Sequence, residues 1–413
     1  MALGIETSSP ELFTNRIYSP NVTNARIDQN SVIKRWGYSL DRTLPGPVYD
    51  IALYQLADGS RYTLYLTDTD LCCRETAVGG TWSYKTETYT TGTISGITTT
   101  AVTGSGAAWQ TAGIAAGDKF IIDSDHDADT EPDTHWATVA SVGGENALVL
   151  TGNYTGAATT GTYKIRKLYS IPTNERWSWA VVGDKFCFTN GSSYMQYWDG
   201  SGYAANLNAT YTEKARYCQV FANRLFIVDM TISAARHPVT IRWSKENDPT
   251  DWTDSTAGEQ DFLETDDFIT GLGRVGSYLV VYKRDSIILG TRSGDAEAPV
   301  SYQSPKKGIG LVAPWSLVEF MGTNAFLGRD DFYILDGDAP TSIGGPIRDK
   351  FLKEVGASEI ERVFGYANYN ANEIYWVANT STGQKVYTWN YKTNQWTINT
   401  YPLTITGFGR GAI

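Results

Sequence analysis

One unit recurs along this chain: an apolar strand, a turn rich in Gly or Asn, and a second apolar strand, with no helix-sized stretch between copies. Six copies are legible, "VYDIALYQLADGSRYTLYL", "WSWAVVGDKFCF", "ARYCQVFANRLFIV", "FITGLGRVGSYLVVY", "SLVEFMGTNAFLG" and "ERVFGYANYNANEIYWVA". Their second strands begin near Arg61, Lys185, Arg224, Tyr278, Ala325 and Glu373, at steps of 124, 39, 54, 47 and 48 residues. Only the first step is out of line. Treating Thr91 to Arg166 as an insertion of 76 residues reduces 124 to 48. A repeat of roughly 40–50 residues is the length of a four-stranded propeller blade.

The chemistry of the repeats agrees with that period. Runs such as "RLFIV", "YLVVY" and "FYIL" are apolar at consecutive positions, so these strands are expected to be buried on both faces, as stacked blades provide. A parallel α/β sheet would need a crossover helix between strands, and "KRDS" (Lys283 to Ser286) and "GRDD" (Gly328 to Asp331) are far too short for one. Aromatic residues make up 13% of the chain and there are 40 Gly, which suits many short strands joined by tight turns. At 413 residues the chain also exceeds the size at which a single core keeps growing. The sequence therefore predicts an all-β propeller of six or seven blades.

Four segments follow from this reading: residues 1–44 as an N-terminal arm, 45–90 as the first blade, 91–166 as the insertion and 167–413 as the remaining blades. The insertion holds four short β-type runs, "TISGITTTAVTGSGAAW", "GDKFII", "HWATVASV" and "NALVLTGNYTG", and is expected to form a small barrel-like domain. "PIRDKFLKEVG" is the clearest helix candidate, with Pro346 at its start, Ile347, Phe351 and Leu352 on one side and Gly356 after its end. The final "LTITGFGRGAI" resembles the first strand of a further blade. "SVIKRWGYS" (Ser31 to Ser39) is expected to complete that last sheet and close the ring, hiding an edge that would otherwise be open.

The search for chemistry returns little. The loop "DSDHDADTEPD" sets Asp123, Asp125, Asp127, Asp129, Glu131 and Asp133 at alternate positions, but a calcium loop needs Gly at its sixth position and Glu at its twelfth, where Ala128 and Thr134 stand. It is read as a solvated acidic loop, and no metal site or cofactor is expected. No phosphate loop, H-E-x-x-H or G-x-S-x-G motif occurs, and "GSGAAW" lacks the third Gly of a dinucleotide loop. His126 and His135 flank the acidic loop, and His237 precedes Pro238 in an expected long turn. None has a Ser or Cys nucleophile close in sequence. Asp266 with Asp267, and Asp330 with Asp331, are adjacent pairs expected to cap turns rather than face each other across a glycosidic bond. "RWSKENDPTDW" (Arg242 to Trp252) is similar to the S-x-D-x-G-x-x-W turn of sialidase propellers, yet Glu246 replaces its Asp and its Gly is missing. No catalytic residue is assigned, and no enzymatic activity is expected.

The four Cys include the adjacent pair Cys72 and Cys73, whose mutual bridge would be strained, and no C-x-x-C occurs. Met1 to Phe13 lacks a basic start followed by an apolar stretch, and no apolar run reaches the roughly 18 residues of a membrane span. A soluble chain made in a reducing cytoplasm is expected. The net charge of −11 opposes a strong grip on nucleic acid, which depends on Lys and Arg displacing counterions.

Three stretches together resemble the propeller proteins of short-tailed bacteriophage tails, the tail hub (packaged-DNA stabilisation protein) and the tail nozzle. They are "SVIKRWGYS", the "RWSKENDPTDW" turn after the "FANRLFIV" strand, and "GIGLVAPWSLVEFMGTNAFLGRDDFYILDG" (Gly308 to Gly337). The inserted "AVTGSGAAW…GDKFII…TVASV…ALVL" is similar to small β-modules of phage structural proteins. The resemblance implies a virion tail protein, made in the bacterial host cytoplasm, that forms a homo-oligomeric ring, often hexameric, below the portal and adaptor. Double-stranded DNA would pass through it without sequence-specific binding. A sugar-binding or sugar-cleaving propeller is the alternative, and it would have a central funnel lined by Trp, Arg and acids.

Overall fold

The structure, a computed structural model, describes residues 25–28, 31–34, 44, 46–75, 82–127, 133–208, 210, 214–337 and 339–409. Six antiparallel sheets follow one another along the chain, each built by adding the next strand to the outside of the last. Their innermost strands are Val48–Gln55, Ser178–Val182, Lys214–Phe221, Ile269–Val275, Val318–Phe320 and Phe364–Asn368. The protein is a six-bladed β-propeller.

The recurrent turns explain the recurrent unit. Between first and second strands, Gly183 and Asp184 have φ of 53° and 58°, Ala222 and Asn223 have 48° and 56°, and Met321 and Gly322 have 49° and 78°. Two positive φ values in a two-residue loop define the mirror-image turn whose twist matches that of the flanking strands. Gly and Asn accept this backbone most readily, which is why the unit is visible as a punctuated repeat.

Consecutive apolar positions are buried because each blade packs on both of its neighbours. One face of blade 2 joins blade 1 around Tyr54, Leu64, Trp177 and Phe186. Its other face joins blade 3 around Val182, Cys187 and Leu225. Similar clusters join blades 3 and 4, 4 and 5, and 5 and 6. The helix at Arg348–Glu354 wedges Ile347 and Phe351 into the last of these, as a packing element. Leu352, expected on the same side, is instead exposed.

The sixth interface is built differently. Blade 6 is completed by its own strands, Glu373–Thr380, Gly383–Asn390 and Gln395–Asn399. The C-terminal segment then crosses back toward blade 1, packing Tyr401, Ile405 and Phe408 against Phe364, Val377 and Val386. Phe408–Gly409 pairs in parallel with the inner strand of blade 1, Phe408 opposite Asp50 and Gly409 opposite Ile51. The described part of the "LTITGFGRGAI" segment, up to Gly409, therefore joins blade 1 instead of opening a further blade. Gly407 and Gly409 let it seat so closely, because a Cβ at either would strike the backbone of Tyr49 or Ile51.

The N-terminal strands Ala25–Asp28 and Ser31–Lys34 pair with each other. Ala25–Asp28 lies alongside Gln395–Asn399, forming no common sheet with it. The rest of the expected closing arm, including Arg35 to Ser39, lies outside the described residues.

The inserted sheet has seven strands from Thr88–Tyr89 to Tyr163–Arg166, and so takes in three residues before Thr91. An isolated bridge between Ile94 and Gly161 brings its last strand back toward its second, rolling the sheet around Trp109, Phe120, Tyr163 and Ile165. It is tied to blade 1 by a buried ion pair, Arg166 Nε to Asp70 Oδ1 at 3.0 Å.

Candidate functional site

The six inner strands surround a central cavity of about 800 Å³. Apart from the stretch of blade 1 that Phe408–Gly409 covers, an inner strand is a sheet edge, and N–H groups on it lack a neighbouring strand to accept them. Side chains supply much of what is missing. Ile51 N donates to Asp50 Oδ1 at 2.8 Å, and Val220 N donates to Gln219 Oε1 at 2.8 Å. Two caps come from an adjoining blade: Cys218 N donates to Ser178 Oγ at 2.9 Å and Arg274 N to Glu319 Oε1 at 2.8 Å. Gln219 Nε2 also donates to Glu319 at 2.7 Å, linking blade 3 to blade 5 past blade 4.

Asp50 also accepts Trp179 Nε1 at 2.9 Å. Burial pushes its carboxyl up to about 6, against the pull of the Trp179 and Ile51 hydrogen bonds and of Arg176. Arg176 donates to Tyr49 O at 2.9 Å and to Thr406 O, and its guanidinium lies 3.7 Å from the centre of the Phe364 ring. Burial pulls its pKa down to about 10. One cation thus ties blade 1, the C-terminal segment and blade 6 together. Glu319 is held above the ordinary carboxyl range, again by burial, with the Arg274 amide and charge and Gln219 opposing. Trp179, Trp315, Tyr366 and Phe408 supply the aromatic part of the wall.

The residues singled out in the sequence are placed elsewhere. Asp267 accepts Asp285 N at 2.9 Å and Lys283 Nζ at 3.1 Å, while Asp331 accepts Phe332 N at 2.8 Å. Both act as turn anchors. In the acidic loop Asp125 accepts the Tyr154 hydroxyl at 2.9 Å and Asp133 accepts Asp127 N at 2.7 Å. Asp129 and Glu131 lie outside the described residues. His135 bonds Asp133 at 3.0 Å, and His126 contacts Lys164 at 3.3 Å. His237 belongs to the strand Ala235–Trp243, contrary to the expected turn. The pairing is irregular there: between Val228 opposite Ile241 and Met230 opposite His237, Pro238 to Thr240 bulge against Asp229 alone, which accommodates a proline that has no N–H to give. In "RWSKENDPTDW", Trp252 is buried and bonds Pro249 O at 2.7 Å, so the turn serves packing.

Sequence reasoning missed Asp229 itself. Its carboxylate is fully buried and receives Arg216 Nη1 at 2.8 Å and Arg236 Nε at 2.6 Å, and Arg216 also bonds Glu175. The available signal was a lone charge inside an apolar strand, "RLFIVDM".

No family model matches the chain, and no curated protein matches it. Solved structures with a similar arrangement include a catalytically inactive virginiamycin B lyase from Staphylococcus aureus with quinupristin, at 10% identity and a TM-score of 0.37, covering 82% of this chain and 93% of that one. The Pan2 WD40 domain of Neurospora crassa is similar at 8% identity and a TM-score of 0.35, over 88% of this chain and 82% of that one. The extracellular domain of a one-component system from B. thetaiotaomicron follows at 9% identity and a TM-score of 0.32, over 83% of this chain and 38% of that one. The propeller assignment rests on the six sheets themselves.

Proposed function

We propose that this chain is a structural protein of a short-tailed bacteriophage tail, a hub or nozzle subunit whose copies form a ring around the DNA channel below the portal and adaptor. The observation that carries the reading is the use made of the central cavity. Its capping side chains are engaged in satisfying strand edges and joining blades, which suits a load-bearing part. The resemblance of "SVIKRWGYS", "RWSKENDPTDW" and Gly308 to Gly337 to tail hub and nozzle propellers supplies the biological setting. With a net charge of −11, the ring wall repels phosphate, so duplex DNA slides through instead of being held. Binding of purified protein to duplex DNA at low ionic strength tests this: weak binding is expected, and tight binding that falls steeply with salt would overturn it.

A second reading, a carbohydrate-binding propeller, is favoured by one observation. Trp179, Trp315 and Tyr366 share the cavity wall with Asp50, Arg176 and Glu319. Retention of a defined oligosaccharide on a glycan array, lost on changing Trp315 to Ala, would select it over the structural reading.

A further inference from the structure

Leu263 and Met321 are the most exposed large apolar side chains among the described residues, 73% and 70% open to solvent. They stand at opposite ends of the propeller. Leu263 lies in the connection from Gly258–Asp261 to the inner strand of blade 4, Ile269–Val275, at the end where that strand begins. Met321 forms, with Gly322, the turn after Val318–Phe320, and Gly276, just past the other end of the blade 4 strand, donates its N–H to Gly322 O at 2.9 Å. Seven residues at about 3.3 Å each set the two ends roughly 20 Å apart. Met321 also has φ of 49°, a backbone that favours Gly or Asn and is uncommon for a long side chain. Packing within the chain does not account for it, because the side chain stands in solvent.

The two ends carry opposite charge. Arg274 lines a hollow of about 300 Å³ with Met321 and the exposed Tyr369, and it also lines a neighbouring groove of about 460 Å³ with Arg292. Neither guanidinium has a hydrogen bond or ion pair among the described residues, whereas Arg216, Arg236, Arg242, Arg284 and Arg329 are each paired with a carboxylate. Glu319, in the same hollow, gives Oε1 to the Arg274 amide and to Gln219. Around Leu263 the sign is reversed. Asp261, Glu264 and Asp266 are exposed, are in no ion pair among the described residues, and outnumber Lys307, which borders the last two. Arg284 and Asp285 beside them are spent on Glu361 and Arg329.

We propose that the groove of one copy of this chain receives the Leu263 segment of the next copy, Leu263 against Met321 and Tyr369, with Glu264 and Asp266 facing Arg274 and Arg292. Charge selects the occupant: chains of net charge −11 repel one another except where a cationic groove meets an acidic segment. Burial of the two apolar side chains against each other adds the non-directional part of the attraction. Two different patches meet, so the contact repeats from copy to copy and closes into a ring when the rotation between copies divides a full turn, whereas a patch that met itself would stop at a pair. The inference rests on the ring assembly proposed above and names the surfaces that build it.

Sedimentation velocity of the 413-residue chain over a wide range of concentrations is the test. The unmodified chain should associate beyond a pair. Arg274→Glu with Arg292→Glu makes groove and segment both negative, and Glu264→Lys with Asp266→Lys makes both positive. Either double variant alone should raise the dissociation constant about tenfold or more, the effect of like charges brought together. An equimolar mixture of the two should recover association, because each groove then finds a segment of opposite sign on the other variant. Circular dichroism melting checks that both fold, and Leu263→Gln, which leaves every charge in place, gives an independent loss. Association as strong in both double variants as in the unmodified chain, or a mixture that recovers nothing, would overturn this contact while leaving the ring reading standing. An unmodified chain that stays single at every concentration would overturn both.

Discussion

Asp50 and Asp229 are both acids inside a β-propeller, and they are stabilised by opposite means. Asp50 has one distant cation and two neutral donors, so burial dominates and its carboxyl titrates near 6 in place of 3.8. The folded protein keeps that proton through a pH range in which the unfolded chain has released it. Raising the pH from about 4 to 6 therefore removes stability, on the order of 1–3 kcal/mol from this group. Melting temperatures of the unmodified chain and Asp50→Asn, compared across that window, should show the difference between them moving against the unmodified chain as pH rises; a constant difference would contradict the assignment. Asp229 instead sits between two guanidiniums on a bulge with φ of 50°. Asp229→Ala leaves Arg216 without one of its two carboxylate partners and should cost about 3–5 kcal/mol in urea unfolding. A loss below 1 kcal/mol would mean that solvent replaces the carboxylate without penalty.

At the scale of elements, the turns carried most of the readable signal. Two-residue loops need positive φ, positive φ selects Gly and Asn, and those residues punctuate the apolar strands at a nearly constant period, so six copies of the unit could be counted, although the sequence left six and seven blades open. The closing strand was harder to read because pairing partners distant in sequence leave no local pattern. Phe408 meets Asp50 across the whole chain, and only the glycines at 407 and 409 hint that two backbones approach there. The candidate site was illegible for a related reason, since Asp50, Ser178, Gln219 and Glu319 come from four different blades and share no motif. Two expectations follow at this scale. Gly409→Val should unseat the C-terminal segment, lowering the melting temperature and exposing the chain after Asn399 to protease; unchanged cleavage would place ring closure elsewhere. Replacing residues 88–166 by a short Gly-Ser bridge removes Arg166 and leaves the buried Asp70 carboxylate with the hydroxyls of Thr69 and Thr86 as its partners among the described residues. The excised propeller should be several kcal/mol less stable than the full chain. Adding Asp70→Asn should recover much of that loss, whereas an excised chain equally unstable with either residue would show that the insertion supports blade 1 by packing.

At the scale of the molecule, the closed six-bladed ring, a middle whose polar groups hold blades together and the net charge of −11 are the features on which the proposed tail subunit, assembling with copies of itself, rests. The expected assembly makes a specific demand on geometry: the propeller's own cavity of about 800 Å³ is a single-chain feature, so any passage for duplex DNA must lie between subunits. Electron microscopy of the purified 413-residue chain, over a wide range of concentrations, measures this most directly. Class averages showing a closed ring of identical subunits, with propellers at the rim and an open lumen wide enough for duplex DNA, are the predicted result. Single propellers at every concentration, or pairs with no lumen, would contradict it.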